Sequence, residues 1–167
     1  MEKRCRFSLA ALPEDDHTSR RACHAGPASL RATVYAVAND QTEAADHFVE
    51  RDGLRFAGTH LIIDLWNASH LDNVDIVEGA LRAAVIAAGA TLLKLDLHRF
   101  SPSGGITSVA VLAESHVTIH TWPERSYAAV DVFMCGNANP HKTINVLRST
   151  FRPKMLTVSE HRRGVVP

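Results

Sequence analysis

Apolar and polar positions follow two regimes along the chain. Through about residue 55 no period is sustained: charges, Pro13, Pro27 and alanine-rich pieces alternate without pattern. One short apolar piece, ATVYAVA at 32–38, has strand-like composition. From Thr59 the periods become clear. HLIIDLWN (60–67) is a β-rich run bounded by Gly58 and by Asn67-Ala68-Ser69. Asp72 or Asn73 can then cap a helix, because Val74, Val77, Leu81, Ala84, Val85 and Ala88 recur at helical spacing and Gly89 closes it. TLLKLDLHRF (91–100) alternates Leu93, Leu95 and Leu97 against Lys94, Asp96 and His98, a half-buried strand. SPSGG (101–105) is a loop. ITSVAVLAES, HVTIHTW and YAAVDVFMC read as three strands or a bent pair. NPHKTINVLRSTF (139–151) predicts a helix with Asn139 as cap, Pro140 in the first turn, and Ile144, Leu147 and Phe151 on one face. KMLTVSEH (154–161) is a last strand.

This order predicts an α+β fold: a two-layer α/β sandwich with two helices on one face of a mostly antiparallel sheet. The other sheet face then needs a cover, which a second subunit could supply. Residues 1–55 are expected to form a flexible N-terminal extension, and 56–167 the folded domain.

Composition narrows the class. The 167 residues are 46% hydrophobic, enough for one core. Lys+Arg and Asp+Glu both count 18, for a formal net charge of +0. Nucleic acid and anionic membranes attract clustered positive charge, so neither is expected as a partner. Three cysteines without regular spacing predict a reducing compartment rather than a disulfide framework. No apolar run reaches the roughly 18 residues of a membrane span. The basic start MEKRCRF is followed by too short an apolar stretch for a signal peptide. A soluble cytoplasmic protein is expected.

Candidate chemistry gathers in LAESHVTIHTWPERSYAAVDVFMCG (112–136). HVTIHTW and YAAVDVF are separated by PERS, a common hairpin loop length. If Trp122 opposes Tyr127, Ser115 falls opposite Met134. A single bulge would then bring Ser115 beside Cys135, with Cβ atoms about 5 Å apart. His120 lies at an odd offset from Ser115, on the opposite face of a regular strand. It would need a kink to act on its own Ser115, or would act on another subunit. Each residue alone has a plain reading: a turn serine, solvated histidines and a small core cysteine. His116 and His120, with Glu114, could offer ligands to a metal, although the spacing is generic and no metal site is expected. A cysteine hydrolase pairing Cys135 with a histidine lacks an adjacent group to orient the histidine.

The whole string resembles the S-adenosylmethionine decarboxylase proenzymes of bacteria and archaea. The likeness runs from GTHLIIDLW through GATLLKLDLHRF, ESHVTIHTWPE and YAAVDVFMCG to SEHRRG, about residues 59–164. It implies self-cleavage between Glu114 and Ser115. The Ser115 hydroxyl would attack the Glu114 carbonyl, turning the peptide bond into an ester. Elimination and hydrolysis would leave a pyruvoyl group at the new N-terminus. His120 matches the family's processing base, since a serine hydroxyl is a poor nucleophile unaided. The pyruvoyl cofactor forms a Schiff base with the amine of S-adenosylmethionine. Cys135 matches the residue that returns a proton after carbon dioxide leaves, and a thiol pKa of about 8.5 suits that task. Decarboxylated S-adenosylmethionine, the aminopropyl donor for spermidine, would be the product.

Further positions follow from the resemblance. Phe100 matches an aromatic residue that stacks on adenine, and Glu124 belongs to the same substrate-binding string. Thr107 falls near a serine that supports processing. The loop SPSGGITS is one residue longer than the family pattern, and Ser108 stands where the family has glycine. His116 is expected to support the cleavage turn. The family pairs sheet against sheet, so an (αβ)₂ homodimer with sites drawn from both subunits is expected. Two alternatives stay open: the same machinery acting on arginine or ornithine, or a non-processing regulatory homologue.

Overall fold

The computed structural model describes residues 48–113 and 115–166. A hairpin of β1 (Val49–Arg51) and β2 (Leu54–Phe56) leads into β3 (Gly58–Trp66) and α1 (Val74–Ala88). Three strands follow in succession: β4 (Leu92–Arg99), β5 (Ile106–Leu112) and β6 (Ser115–Trp122). A 3₁₀ turn (Pro123–Arg125) leads to β7 (Tyr127–Cys135), α2 (His141–Phe151) and β8 (Met155–Arg163). The main sheet runs β4-β5-β6-β7-β3-β8, antiparallel at every neighbouring pair.

The period-two alternation divides the sheet into two faces. Leu61, Ile63 and Leu65 of β3, Val117 and Ile119 of β6, and Val130, Val132 and Met134 of β7 point one way and are buried. They share one core with Val77, Leu81 and Val85 of α1 and Leu147 and Phe151 of α2. Both helices therefore cover the same face, and the architecture is the expected two-layer sandwich. The opposite face carries His60, Ile62, Asp64 and Trp66 of β3, and His116, Thr118, His120 and Trp122 of β6. Ile62, Trp66, Val111, Trp122 and Met155 on this face are 40–52% exposed.

Helix termini explain why the elements stop where they do. Asn73 Oδ1 accepts from the Ile76 amide at 3.1 Å. Gly89, at φ 74°, ends α1 in the left-handed conformation that glycine tolerates. At α2 the helical residues begin at His141, with Pro140 at the cap position. The side chain that satisfies the start is nevertheless Asn139, whose Oδ1 accepts from the His141 amide at 3.1 Å.

Two expectations are corrected. The extension was expected to run to residue 55, but Val49–Arg51 and Leu54–Phe56 pair as a hairpin. Its turn residues Asp52 (φ 53°) and Gly53 (φ 71°) both take positive φ, the geometry favoured by Asp-Gly. Phe56 is buried, Arg162 stacks over its ring at 5.4 Å, and Arg162 Nη2 meets Asp52 Oδ2 at 2.6 Å. The remainder of the expected extension, through residue 47, with its apolar piece at 32–38, lies outside the described residues. Second, no bulge interrupts β6 and β7 between His116 and Trp122. Their pairing runs unshifted from Trp122↔Tyr127 to His116↔Phe133.

Among the described residues no helix is long and apolar enough to cross a membrane. The shared core sets a stability prediction. Leu81 is fully buried, whereas Ile86 on the same helix is 78% exposed. Leu81→Ala should cost about 2–5 kcal/mol in urea unfolding, and Ile86→Ala should change stability by less than about 0.5 kcal/mol. Equal losses at the two positions would contradict the assignment of the buried helix face.

Candidate active site

At one end of the sheet, Leu112 pairs with Ser115 across a tight reversal between β5 and β6. Glu114, within that reversal, lies outside the described residues. Ser115 is thus the first residue of β6, and its Oγ accepts from the Cys135 amide at 3.1 Å. The two residues meet through this backbone donor, without the expected bulge. Cys135 pairs with Gly58 of β3. A Cβ at Gly58 would stand 2.6 Å from the Met134 carbonyl oxygen and 3.0 Å from Cys135 Sγ. Glycine is what lets β3 approach this closely. His116 joins Phe133 and His60 in an aromatic cluster beside them, with ring centroids 5.7–6.3 Å apart. His60 Nε2 lies 3.3 Å from Asp131 Oδ1 but is buried without a hydrogen bond of good geometry.

The other end of the open face holds a different group. Thr107 faces His120 across β5 and β6, and Thr107 Oγ1 lies 3.0 Å from His120 Nδ1. A cavity of about 400 Å³ opens here, within the size range of small-molecule sites. Phe100, Thr107, His120, Trp122 and Glu124 line it together with Ser103 and Gly105 of the loop. The loop is closed by hydrogen bonds between Phe100 and Gly105 at 2.8 Å and between Gly104 and Phe100 at 3.0 Å. A Cβ at Gly105 would come within 2.8 Å of the Thr121 carbonyl oxygen, so the loop can approach β6 only with glycine there. Ser108 points into the core, where its hydroxyl donates to the Asp96 carbonyl at 2.8 Å. Its extra polar group is therefore satisfied, and Thr107 is the hydroxyl that faces His120.

The two groups are far apart within one chain. Ser115 and His120 belong to the same strand, and five residue steps span roughly 16 Å. A proton transfer needs heavy atoms about 3 Å apart, so His120 cannot serve its own Ser115 in this conformation. His116 and His120 share the open face as expected. Four steps, roughly 13 Å, keep them from ligating one ion. Among the described residues no group of three or more His, Cys, Asp and Glu side chains is arranged for a metal.

One feature of the site escaped sequence reasoning. Trp122 stacks on Tyr127 at 5.3 Å and 29°, and Tyr127 lies 4.3 Å from Trp66. The Tyr127 hydroxyl donates to Asp64 Oδ1 at 2.6 Å, and Thr157 donates to Asp64 Oδ2 at 3.3 Å. The Tyr127 phenol is pushed up to about 12, first by burial, then by the hydrogen bond to Asp64, then by the charges of Asp64 and Asp131. Cross-strand pairing of Trp122 with Tyr127 was readable from the hairpin. The Asp64 partner was not, because it comes from a strand 63 residues away in sequence.

Comparisons with known proteins converge on one family. The family model described as S-adenosylmethionine decarboxylase matches residues 59–164. An S-adenosylmethionine decarboxylase proenzyme from Thermomicrobium roseum is 45% identical over 114 residues, covering 68% of this chain and 98% of that protein. One from Methanococcus vannielii is 48% identical over 112 residues, covering 65% of this chain and 91% of its own. The crystal structure of the adenosylmethionine decarboxylase from Aquifex aeolicus VF5 superposes with a TM-score of 0.61 at 32% identity. It covers 67% of this chain and 94% of that one.

The Tyr127–Asp64 bond generates a pH prediction. A phenol raised from 10.0 to about 12 contributes stability that is fully present below pH 10.0 and lost as the pH rises towards about 12. In a spectrophotometric titration of the folded protein, Tyr127 should stay un-ionised well above pH 10.0, and Asp64→Asn should lower its midpoint. An unchanged midpoint in Asp64→Asn would remove Asp64 as a cause.

Proposed function

The chain belongs to the S-adenosylmethionine decarboxylase family, and from that premise we propose that it cleaves itself between Glu114 and Ser115 and then decarboxylates S-adenosylmethionine. The observation that carries this reading is the division of the candidate residues between the two ends of the sheet. Ser115 and Cys135 share one end through the 3.1 Å hydrogen bond. His120, Thr107, Phe100 and Glu124 share the cavity at the other.

In the processing step the Ser115 Oγ attacks the Glu114 carbonyl carbon, and the Ser115 nitrogen leaves as an amine, giving an ester. A base then removes the Ser115 α-proton and the Glu114 carboxylate departs from Cβ. Water replaces the resulting nitrogen as ammonia. His120 is the proposed base, and the Thr107 contact at its Nδ1 leaves Nε2 to exchange protons. The Cys135 amide donates to Ser115 Oγ, which eases loss of the hydroxyl proton to the base. The residues present fit a pyruvoyl group at position 115: it would occupy the start of β6, beside the Cys135 backbone. The group supplies an electron-accepting carbonyl for the substrate's α-amine. Cys135 is proposed to return a proton to the substrate carbon that has lost carbon dioxide. Phe100 offers a ring to adenine or to the sulfonium cation, and Glu124 a carboxylate to the polar part of the nucleoside.

This assignment requires a second chain. The roughly 16 Å between Ser115 and His120 on one strand closes if two sheets pack face to face about a twofold axis. His120 of one chain then reaches Ser115 of the other, in an (αβ)₂ homodimer of cleaved chains. The exposed Ile62, Trp66, Val111, Trp122 and Met155 support burial of this face. We read residues 56–167, together with the hairpin at 49–56, as the decarboxylase unit. We place the enzyme in the cytoplasm, supplying the aminopropyl donor for spermidine. The relatives described above are named for S-adenosylmethionine, which disfavours arginine or ornithine as substrate, and the retained Ser115, His120 and Cys135 disfavour a non-processing homologue.

Two linked experiments test the reading. By denaturing intact-mass spectrometry the wild-type protein should give two chains, one ending at Glu114. His120→Ala should stay uncut, whereas Cys135→Ala should be cut and lose about 10²–10⁴-fold in decarboxylation rate. Co-expressing His120→Ala with Ser115→Ala should restore cleavage of the His120→Ala chain, because the mixed dimer holds one intact pair. Cleavage of His120→Ala by itself would remove the histidine as base, and failure of the mixed dimer to cleave would refute action between subunits.

A further inference from the structure

The Trp66–Tyr127–Trp122 stack is larger than the proposed chemistry requires. Trp122 is the last residue of β6 and is 41% exposed. It lines the 400 Å³ cavity beside His120, whose ring lies 6.3 Å away. It also lines a second hollow with Trp66, Arg125 and Tyr127. Even where a second sheet covers this face, a ring at a strand end beside a cavity has rotamers to choose from, and a cavity wall that moves weakens binding by the freedom it must lose. Tyr127 opposes Trp122 in register and stacks on it at 5.3 Å. Packing alone would be served by phenylalanine. The tyrosine hydroxyl adds a 2.6 Å bond to Asp64, and Asp64 is held in turn by Thr157. A carboxylate fixed by two donors from two other strands is a rigid anchor, and charge-assisted hydrogen bonds of this length are among the strong ones.

We propose that Tyr127, anchored by Asp64, is a positioning residue for substrate binding, which holds Trp122 as a fixed wall of the cavity that takes the nucleoside part of S-adenosylmethionine. This role rests on the decarboxylase reading. It concerns binding rather than the breaking of bonds, because neither Tyr127 nor Asp64 lines the cavity that contains His120.

The test uses the full chain after self-cleavage, with S-adenosylmethionine as the probe. Tyr127→Phe and Asp64→Asn should each raise KM about fivefold, the size of effect expected for one aromatic pair. They should leave kcat and the extent of self-cleavage within about twofold of wild type. The double variant should be no worse than either single one, because both changes break the same bond. Tyr127→Ala, which removes the stack as well, should raise KM further. Unchanged KM in both conservative variants would overturn the proposal. So would a fall in kcat or in cleavage with KM constant, which would assign the stack to His120 instead. A wild-type protein that fails to turn over S-adenosylmethionine would refute the decarboxylase reading itself. Turnover with Tyr127→Phe kinetically unaltered would refute only the positioning role.

Discussion

A one-residue slip of β6 against β7 would turn every side chain of β6 to the other face, and the site depends on that slip never occurring. The register runs unshifted from Trp122↔Tyr127 to His116↔Phe133. What fixes it is apolar: Val117, Ile119, Val130, Val132 and Met134 are all buried against the helices. A slip of β6 would expose Val117 and Ile119, each costing about 1.5–3 kcal/mol, and would turn His116, Thr118 and His120 into the core. The polar chemistry of the open face is thus placed by the hydrophobic chemistry of the other. Ser115 reaches the Cys135 amide, and His120 reaches Thr107, as consequences of core packing rather than of any attraction between the functional groups.

The same alternation made much of the structure legible. Helix spacing from Val74 to Ala88, with Asn73 and Gly89 at its ends, marks α1 because capping and burial agree there. Pairing Trp122 with Tyr127 across PERS gives the hairpin register directly. Its odd-offset corollary, that Ser115 and His120 point to opposite faces, needs only the geometry of a strand. The β1–β2 hairpin was missed although Asp52-Gly53 is a strong turn signal, since its strands are three residues each and carry no period. Insertion of β3 between β7 and β8 was not readable either. Alternation gives the faces of a strand but not its neighbours. For that reason Asp64 was not connected to Tyr127 before the sheet order was known.

The site residues divide in the same manner. Thr107, His120, Phe100 and Glu124 come from adjacent strands and the loops at their ends, so local pairing suffices to gather them. Cys135 and Gly58 meet only because β3 lies beside β7. Ser108 shows how a departure from a family pattern can be neutral. Its hydroxyl enters the core but finds the Asp96 carbonyl, so it leaves no polar group unpaired and the neighbouring Thr107 keeps its place.

Candidate residues divided between the two ends of the sheet have a further consequence for assembly. If the ends of one chain cannot meet, a single twofold axis through the middle of the face brings each end against its complement in the other chain, and it does so twice. That axis would pass near Thr118 and Asp131, which lie opposite each other midway along the hairpin. In the proposed dimer two equivalent sites would arise from one interface. The proposed arrangement would tie processing to assembly: a lone chain, with Ser115 and His120 roughly 16 Å apart, would keep its peptide bond intact. The bond would be cut only once the sheets have paired, so a cofactor carbonyl would not be left exposed on an unassembled chain.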